Sequence, residues 1–558
     1  MRVLGNHLGY EPEAVKRLWI EASADTAWKA VSLVRLPEGK VVWTGQPVLV
    51  GGVPGWSLGP WWEVDVSRIT QLGRYALRWE CADGAIGQGE GFAIERGLFG
   101  AARVSDLLFH IKSQRSSGVW DAADARAPRL DDRESRDVSG GWFDASGDNS
   151  KYLSHLSYAQ VMNPQQNPLV VWVLARSWQR YRDAGRDDYF TERLRDEALH
   201  GADWLMRMQD ESGFFYTTVF DRWSKDPAQR ELCSYRTQQG HKGADYQAGW
   251  RQGGGMAIAA LAVASTLGGD GAYSSEDYRA AALRGFHHLV AHGRDYLEDG
   301  TENLIDHICA LLAAAELRAV AADDGAVAFE LTVRWQAVVE ARRETEGHVW
   351  LAMDAAGERS WFHASDAGLP VVTLQRAAEL HPAHSAADEG TALAREWMVS
   401  QVGLAEADNN PFGYPPHWVQ TPGRPGQPQW FYPHDNPSGY WWQGENAKLA
   451  SLAAAATELA PAASQRWLDW IMGANPFDVC MMQGHGRNNP AYEDGSFNAP
   501  GGVCNGITSG LADEADIAFQ PLPHNNDPAQ RWRWGEQWLP HAAWLLYAWA
   551  LRDTAPTT

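Results

Sequence analysis

The chain has 558 residues, 45% of them hydrophobic and 21% charged, enough to bury a large core and to fill more than one domain. Its formal net charge of −22 repels phosphate backbones and anionic lipid surfaces, which argues against nucleic acid and membrane as partners and favours a neutral or cationic ligand. Five widely spaced cysteines, Cys81, Cys233, Cys309, Cys480 and Cys504, form no CxxC pair and no His cluster stands at metal-ligand spacing, so they read as buried thiols rather than a disulfide framework or zinc site.

The opening residues, MRVLGNHLGYEPEAVKRLWIEA, lack a basic segment followed by an apolar one, so no export signal is visible and a cytoplasmic location is expected. Residues 1–95 alternate apolar and polar in short runs such as RLWIEA, AVSLVRL, WWEVDV and GRYALRWEC, punctuated by Gly, Pro and Asp. That period of two predicts an antiparallel β-sandwich. From about residue 98 the period changes to three-and-four, in segments such as AARVSDLLFHIKSQ, NPLVVWVLARSWQRYRDA and TERLRDEALHGADWLMRMQD. About a dozen amphipathic helices follow, without intervening strands, and no 34- or 40-residue repeat marks a solenoid. A closed toroid of helix pairs is the expectation, with the polar, aromatic, glycine-rich connections 113–152, 210–250, 404–442 and 474–535 converging on one cleft. The 29 tryptophans exceed what a core needs, and a flat apolar face with a polar edge suits stacking on a sugar ring.

The segment GGWFDASGD at 140–148 resembles the Gly-Gly-Trp-Tyr-Asp-Ala-Gly-Asp signature of family 9 of the glycoside hydrolases, in the branch with an N-terminal immunoglobulin-like domain before an (α/α)6 barrel. VLGNHLGYEPEAVKR, DWLMRMQDESGFFY, FHASDAGLPVV, WIMGANPFD and WRWGEQWLPHAAWLLYAWA are similar to further family segments, in the family's order. The resemblance implies an immunoglobulin-like β-sandwich at 1–96 and an all-α (α/α)6-barrel catalytic domain at 97–558. It implies no required cofactor and is compatible with a structural calcium. Two departures stand out: Ser146 is one residue more than the usual spacing between the aspartates, and GHGRNNPAYEDGSFNAPGGVCNG replaces the family's His-His-Arg stretch, which weighs against cellulose as the substrate.

Hydrolysing a glycosidic bond takes a proton for the departing oxygen and a nucleophile for the anomeric carbon, and two carboxyl groups can supply both. Asp144 and Asp148 share one short loop and could hold a water from two sides, with Asp148 as general base and Asp144 as its partner; two close anions raise at least one pKa. The same oxygen-rich loop also suits calcium or a helix cap. Glu536, between Trp534 and Trp538, is the candidate acid, because indole faces favour its protonated form. WGEQ also reads as a helix start, and Glu445 in WWQGENAKL is a competing acid. Trp142, Trp250, Trp361 and Trp430 are candidate sugar platforms, with Arg487 and Tyr440 as hydrogen-bonding partners. His363, His417, His434, His485 and His541 read mostly as structural. The expected activity is an inverting β-glycosidase acting from one end of short gluco- or glucosamino-oligosaccharides. An endo-β-1,4-glucanase and an inactive sugar-binding protein on a hydrolase fold are the alternatives.

Overall fold

The computed structural model describes residues 1–558 except 270, 408–409, 440–441, 493–497 and 556–558. Nine strands open the chain: β1 (Arg2–Leu4), β2 (Arg17–Glu21), β3 (Trp28–Leu36), β4 (Lys40–Gly45), β5 (Val48–Gly51), β6 (Trp61–Asp65), β7 (Gly73–Cys81), β8 (Ile86–Gln88) and β9 (Phe92–Ile94). One sheet runs β1-β2-β6-β5 and the other β4-β3-β7-β8, with β9 also on β7, and every strand pair is antiparallel. Alternate residues such as Leu18, Ile20, Val31, Leu33, Tyr75 and Leu77 meet between the sheets in a core of their own, as period-two patterning requires. This is the immunoglobulin-like sandwich expected from the sequence.

Fourteen helices follow among the described residues: α1 (Ala101–Ser113), α2 (Gly118–Asp124), α3 (Asn167–Asp183), α4 (Tyr189–Arg207), α5 (Gly255–Ala264), α6 (Ser275–His292), α7 (Leu304–Val320), α8 (Gly325–Glu340), α9 (Leu369–Leu380), α10 (Ala387–Glu406), α11 (Asn446–Ala456), α12 (Pro461–Ile471), α13 (Trp532–Gly535) and α14 (Leu539–Asp553). Helices α3, α5, α7, α9, α11 and α14 touch in that order and close back on α3, while α4, α6, α8, α10, α12 and α1 each back one of them from outside. The result is an (α/α)6 barrel. Its inner helices are apolar almost all round: every residue of α5 and of α11 is buried. The outer α4 and α10 expose one face, as helices packed on one side do.

The barrel connections also carry strands, which corrects the expectation of helices alone. Lys151–Tyr152, Thr218–Phe220, Glu231–Tyr235 and Lys242–Gly243 form a four-stranded antiparallel sheet. Its strands have only two to five residues, too short for a two-residue period to stand out in the sequence. The sandwich is seated on the barrel by an aromatic interface in which Trp56 and Trp61 pack on Phe412, Tyr414, Trp430 and Trp470. Asn6 donates to Asp469 at 2.7 Å in the same region.

Candidate active site

The 140–152 loop is anchored before it becomes chemical. Gly140 and Gly141 take φ of 88° and 71°, conformations open to glycine, and a Cβ on Gly141 would meet the Trp204 ring at 2.8 Å. The turn drives Trp142 into the barrel, where its indole donates to Glu197 at 2.8 Å and Arg115 holds the same carboxylate through two bonds. Asn167 clamps the Trp142 backbone from both sides, accepting from its N–H at 2.9 Å and donating to its carbonyl at 3.0 Å.

A fully buried ion cluster fixes the rest of the loop. Lys151 Nζ donates to the carbonyls of Val138 and Gly140, each at 2.7 Å, and sits 2.7 Å from Asp124. Arg230 binds Asp124 with two nitrogens and donates to the carbonyl of Asn149 at 2.9 Å. One carboxylate thus organises two cations that grip both arms of the loop. Burial outweighs Asp124 at Lys151 and lowers its pKa to about 8.

Between these anchors stand the two aspartates. Asp144 is buried; Trp538 Nε1 donates to both its oxygens at 3.1 and 3.0 Å, and His155 Nδ1 lies 3.2 Å away. Burial raises its pKa, Asp148 adds to the rise, and His155 and Trp538 work against it. Asp148 accepts from the Ser150 N–H at 2.8 Å, the Tyr152 hydroxyl at 2.9 Å and Trp223 Nε1 at 3.0 Å. The Glu536 segment is stitched to this loop by backbone bonds: Ser146 N–H to the Gln537 carbonyl at 2.9 Å and Leu539 N–H to the Asp144 carbonyl at 3.0 Å. Glu536 does not start a helix; it lies extended between α13 and α14 (φ −67°, ψ 135°). A Cβ on Gly147 would lie 2.5 Å from its Oε1. All three carboxyls line one cavity of about 420 Å³, together with His155, Trp223, Lys225, Tyr235 and Trp538.

The proposed sugar contacts are placed elsewhere. Trp142 is core, for the reason given. Trp250 is buried against Phe286 at 5.5 Å and beneath Arg334. Trp361 is 4% exposed, donates to the Ala367 carbonyl and stacks on His363. Trp430 packs on Trp56 at 5.3 Å and donates to Pro54, so it belongs to the interface with the sandwich. Arg487 is paired with Asp478 through two nitrogens, and its backbone N–H donates to His7. Tyr440 lies outside the described residues. Glu445 is unsuited to an acid role: it accepts from Lys448 at 2.8 Å and His417 at 3.0 Å, which overcome its burial and pull its pKa down to about 2.

The sequence reading missed Tyr152, His155, Trp223 and Tyr235. Tyr152 and His155 follow Asp148 by four and seven residues, and Trp223 and Tyr235 lie in the 210–250 connection already marked as polar and aromatic. Trp223 carries the clearest structural mark. It has φ of 56° and its neighbours Arg222 and Lys225 have 60° and 57°, a concentration of strain of the kind that gathers at functional sites.

Among the described residues no group of three or more His, Cys, Asp or Glu is arranged to hold a metal ion, and the five cysteines are buried free thiols. No described helix is long and apolar enough to cross a membrane.

A comparison with protein-family models matches "Glycosyl hydrolase family 9" over residues 101–493. The chain belongs to glycosyl hydrolase family 9. A comparison with curated proteins returned no match. Among solved structures, a metagenome-derived family 9 endoglucanase superposes with a TM-score of 0.64 at 18% identity, over 99% of each chain. The family 9 endoglucanase J30 gives 0.67 at 17% identity, over 97% of this chain and 99% of that one. A single mutant of a thermostable endoglucanase from Alicyclobacillus acidocaldarius gives 0.63 at 16%, over 99% and 100%. At these identities the likeness speaks for the fold. Family membership makes this protein a glycoside hydrolase.

Proposed function

We propose that this family 9 hydrolase cleaves short β-linked gluco- or glucosamino-oligosaccharides from one end, with inversion. Glu536 protonates the glycosidic oxygen as the bond to the anomeric carbon breaks. Asp148 takes a proton from a water that attacks the opposite face of that carbon, and Asp144, across the loop, helps to orient the water. The observation that carries this reading is the meeting of Asp144, Asp148 and Glu536 on one cavity of about 420 Å³, with their two segments bonded backbone to backbone. A cavity of that size holds a compact ligand.

Proton NMR during early turnover of a β-glycoside tests the stereochemistry: the α-anomer should appear first, and initial β-anomer would reverse the role of Asp148. A reducing-end-labelled tetramer tests the direction of attack, with stepwise loss of single units expected. An endo-acting cellulase is the second reading, favoured by the endoglucanase names of the solved structures. Early dimers and trimers from internal cuts would select it.

A further inference from the structure

A second cavity, of about 740 Å³, lies beside the catalytic one, and Tyr235 borders both. The outer chamber is polar, lined among others by Gln160, Arg236, Asp245, Gln252 and Glu298. Two of its buried polar atoms, Ser157 Oγ and Arg251 Nε, have no hydrogen-bond partner among the described residues, and Ser157 and Arg251 are only 3% and 2% exposed. The polar side chains that line the chamber, amides and charged groups of both signs, suit a ligand rich in hydroxyl groups.

Tyr235 stands on the border of the two spaces, and Tyr158 packs against it from the second. Tyr235 is gripped by Tyr152, His155, Phe220 and Trp223 at centroid distances of 5.7, 5.6, 5.5 and 6.0 Å. Tyr158, which lines the outer chamber, meets it edge-on at 5.3 Å. The Tyr235 hydroxyl accepts from the Leu156 N–H at 3.0 Å, and the Tyr158 hydroxyl donates to the Ser438 carbonyl at 3.2 Å. Three stretches of chain therefore meet at the partition: the one following the catalytic aspartates, the strand Glu231–Tyr235, and the 404–442 connection. A ring held at its hydroxyl and wedged among five others has no room to swing aside.

We propose that Tyr235 and Tyr158 are specificity-determining residues that divide one groove into a catalytic pocket and an outer chamber. A saccharide chain reaching the carboxyls then cannot run on past Tyr235, and it must enter by its end. This rests on the end-acting reading above and names the side chains that enforce it. Removing either ring joins the pocket to a space already suited to sugar hydroxyls, so the chain can thread through and be cut internally.

The test follows reducing-end-labelled β-1,4-linked tetramers of glucose and of glucosamine with wild type, Tyr158→Ala and Tyr235→Ala, each checked for folding by circular dichroism and thermal melting. Wild type should release single units. In the variants the early yield of dimer and trimer relative to monomer should rise by about 10-fold, the scale of discrimination a lost pocket contact commands. Tyr235 is buried, so if its alanine variant unfolds, the half-buried Tyr158 position decides. Folded variants that keep the wild-type product ratio would overturn the proposal, whereas internal cuts by wild type itself would overturn the end-acting reading on which it rests.

Discussion

Asp144 and Trp538 hold each other across 394 positions of chain: the indole N–H reaches both carboxylate oxygens at 3.1 and 3.0 Å, and the residue after the tryptophan donates its backbone N–H to the Asp144 carbonyl. The loop with the paired aspartates and the segment with Glu536 are thereby one unit. Trp538→Phe keeps the ring and loses the donor, so the Asp144 pKa, already raised by burial with Asp148 contributing, should climb further. The acidic limb of the kcat/KM profile should move to higher pH. An unmoved limb with a wild-type rate would show that Asp144 takes no part in the reaction.

Removing either proposed reactive carboxyl should leave a folded protein with little activity. Asp148→Asn and Glu536→Gln should each lower kcat by about 10²–10⁴-fold on unactivated oligosaccharides. With nitrophenyl leaving groups, which depart without a proton, the Glu536→Gln loss should shrink and the Asp148→Asn loss should not. Equal losses on both substrate types would detach Glu536 from the acid role.

Glu445→Gln provides the contrast. Breaking a buried pair by removing one partner costs about 3–5 kcal/mol, so the variant should melt earlier because Lys448 and His417 lose their partner. The folded fraction should keep the wild-type dependence on leaving group. A loss that vanished with nitrophenyl substrates would make Glu445 the acid instead.

The architecture was legible because each of its signals is local. Period two marked the sandwich, period three-and-four marked the barrel, and the motif around Asp144 and Asp148 is contiguous. Which way the tryptophans of the connections face was not legible for a physical reason. A tryptophan in a polar connection can turn inward or outward, and tertiary packing decides: two positive-φ glycines send Trp142 to Glu197, and the sandwich covers Trp430. Trp223 and Tyr235 became visible only when a short sheet brought the 210–250 connection back over the aspartates.

Stability should carry a pH signature from the seam between sandwich and barrel. Burial, opposed by the bond from Asn6, raises the Asp469 pKa from its ordinary 3.8 to about 6. The native state therefore keeps this proton to higher pH than the unfolded chain does. Its stabilising contribution is full below 3.8 and is lost as pH rises through about 6, a change of roughly 3 kcal/mol. Urea melts at several pH values should show that decline flattened in Asp469→Asn. An identical slope in both proteins would place the titration elsewhere.

The two catalytic segments also meet where no side chain is present. Gly147 has no side chain, and the first carbon of one would lie 2.5 Å from Glu536 Oε1, closer than a carbon and an oxygen can rest. The Tyr492 hydroxyl would lie as close, at 2.4 Å, so Gly147→Ala must push the Glu536 carboxyl and the Tyr492 ring away or lift the Asp loop from the strand-like pairing of Ala145 with Trp538. A displacement near 1 Å in a reacting group costs about 10²-fold in rate. The expected result is a fall of that order in kcat with a thermal midpoint close to wild type, since Gly147 lies on the cavity wall rather than in the core. The cleanest readout is again the leaving group: if the alanine displaces Glu536, nitrophenyl substrates should recover much of the lost rate, and a loss of equal size on both would place the damage away from Glu536, on the Asp loop or at Tyr492.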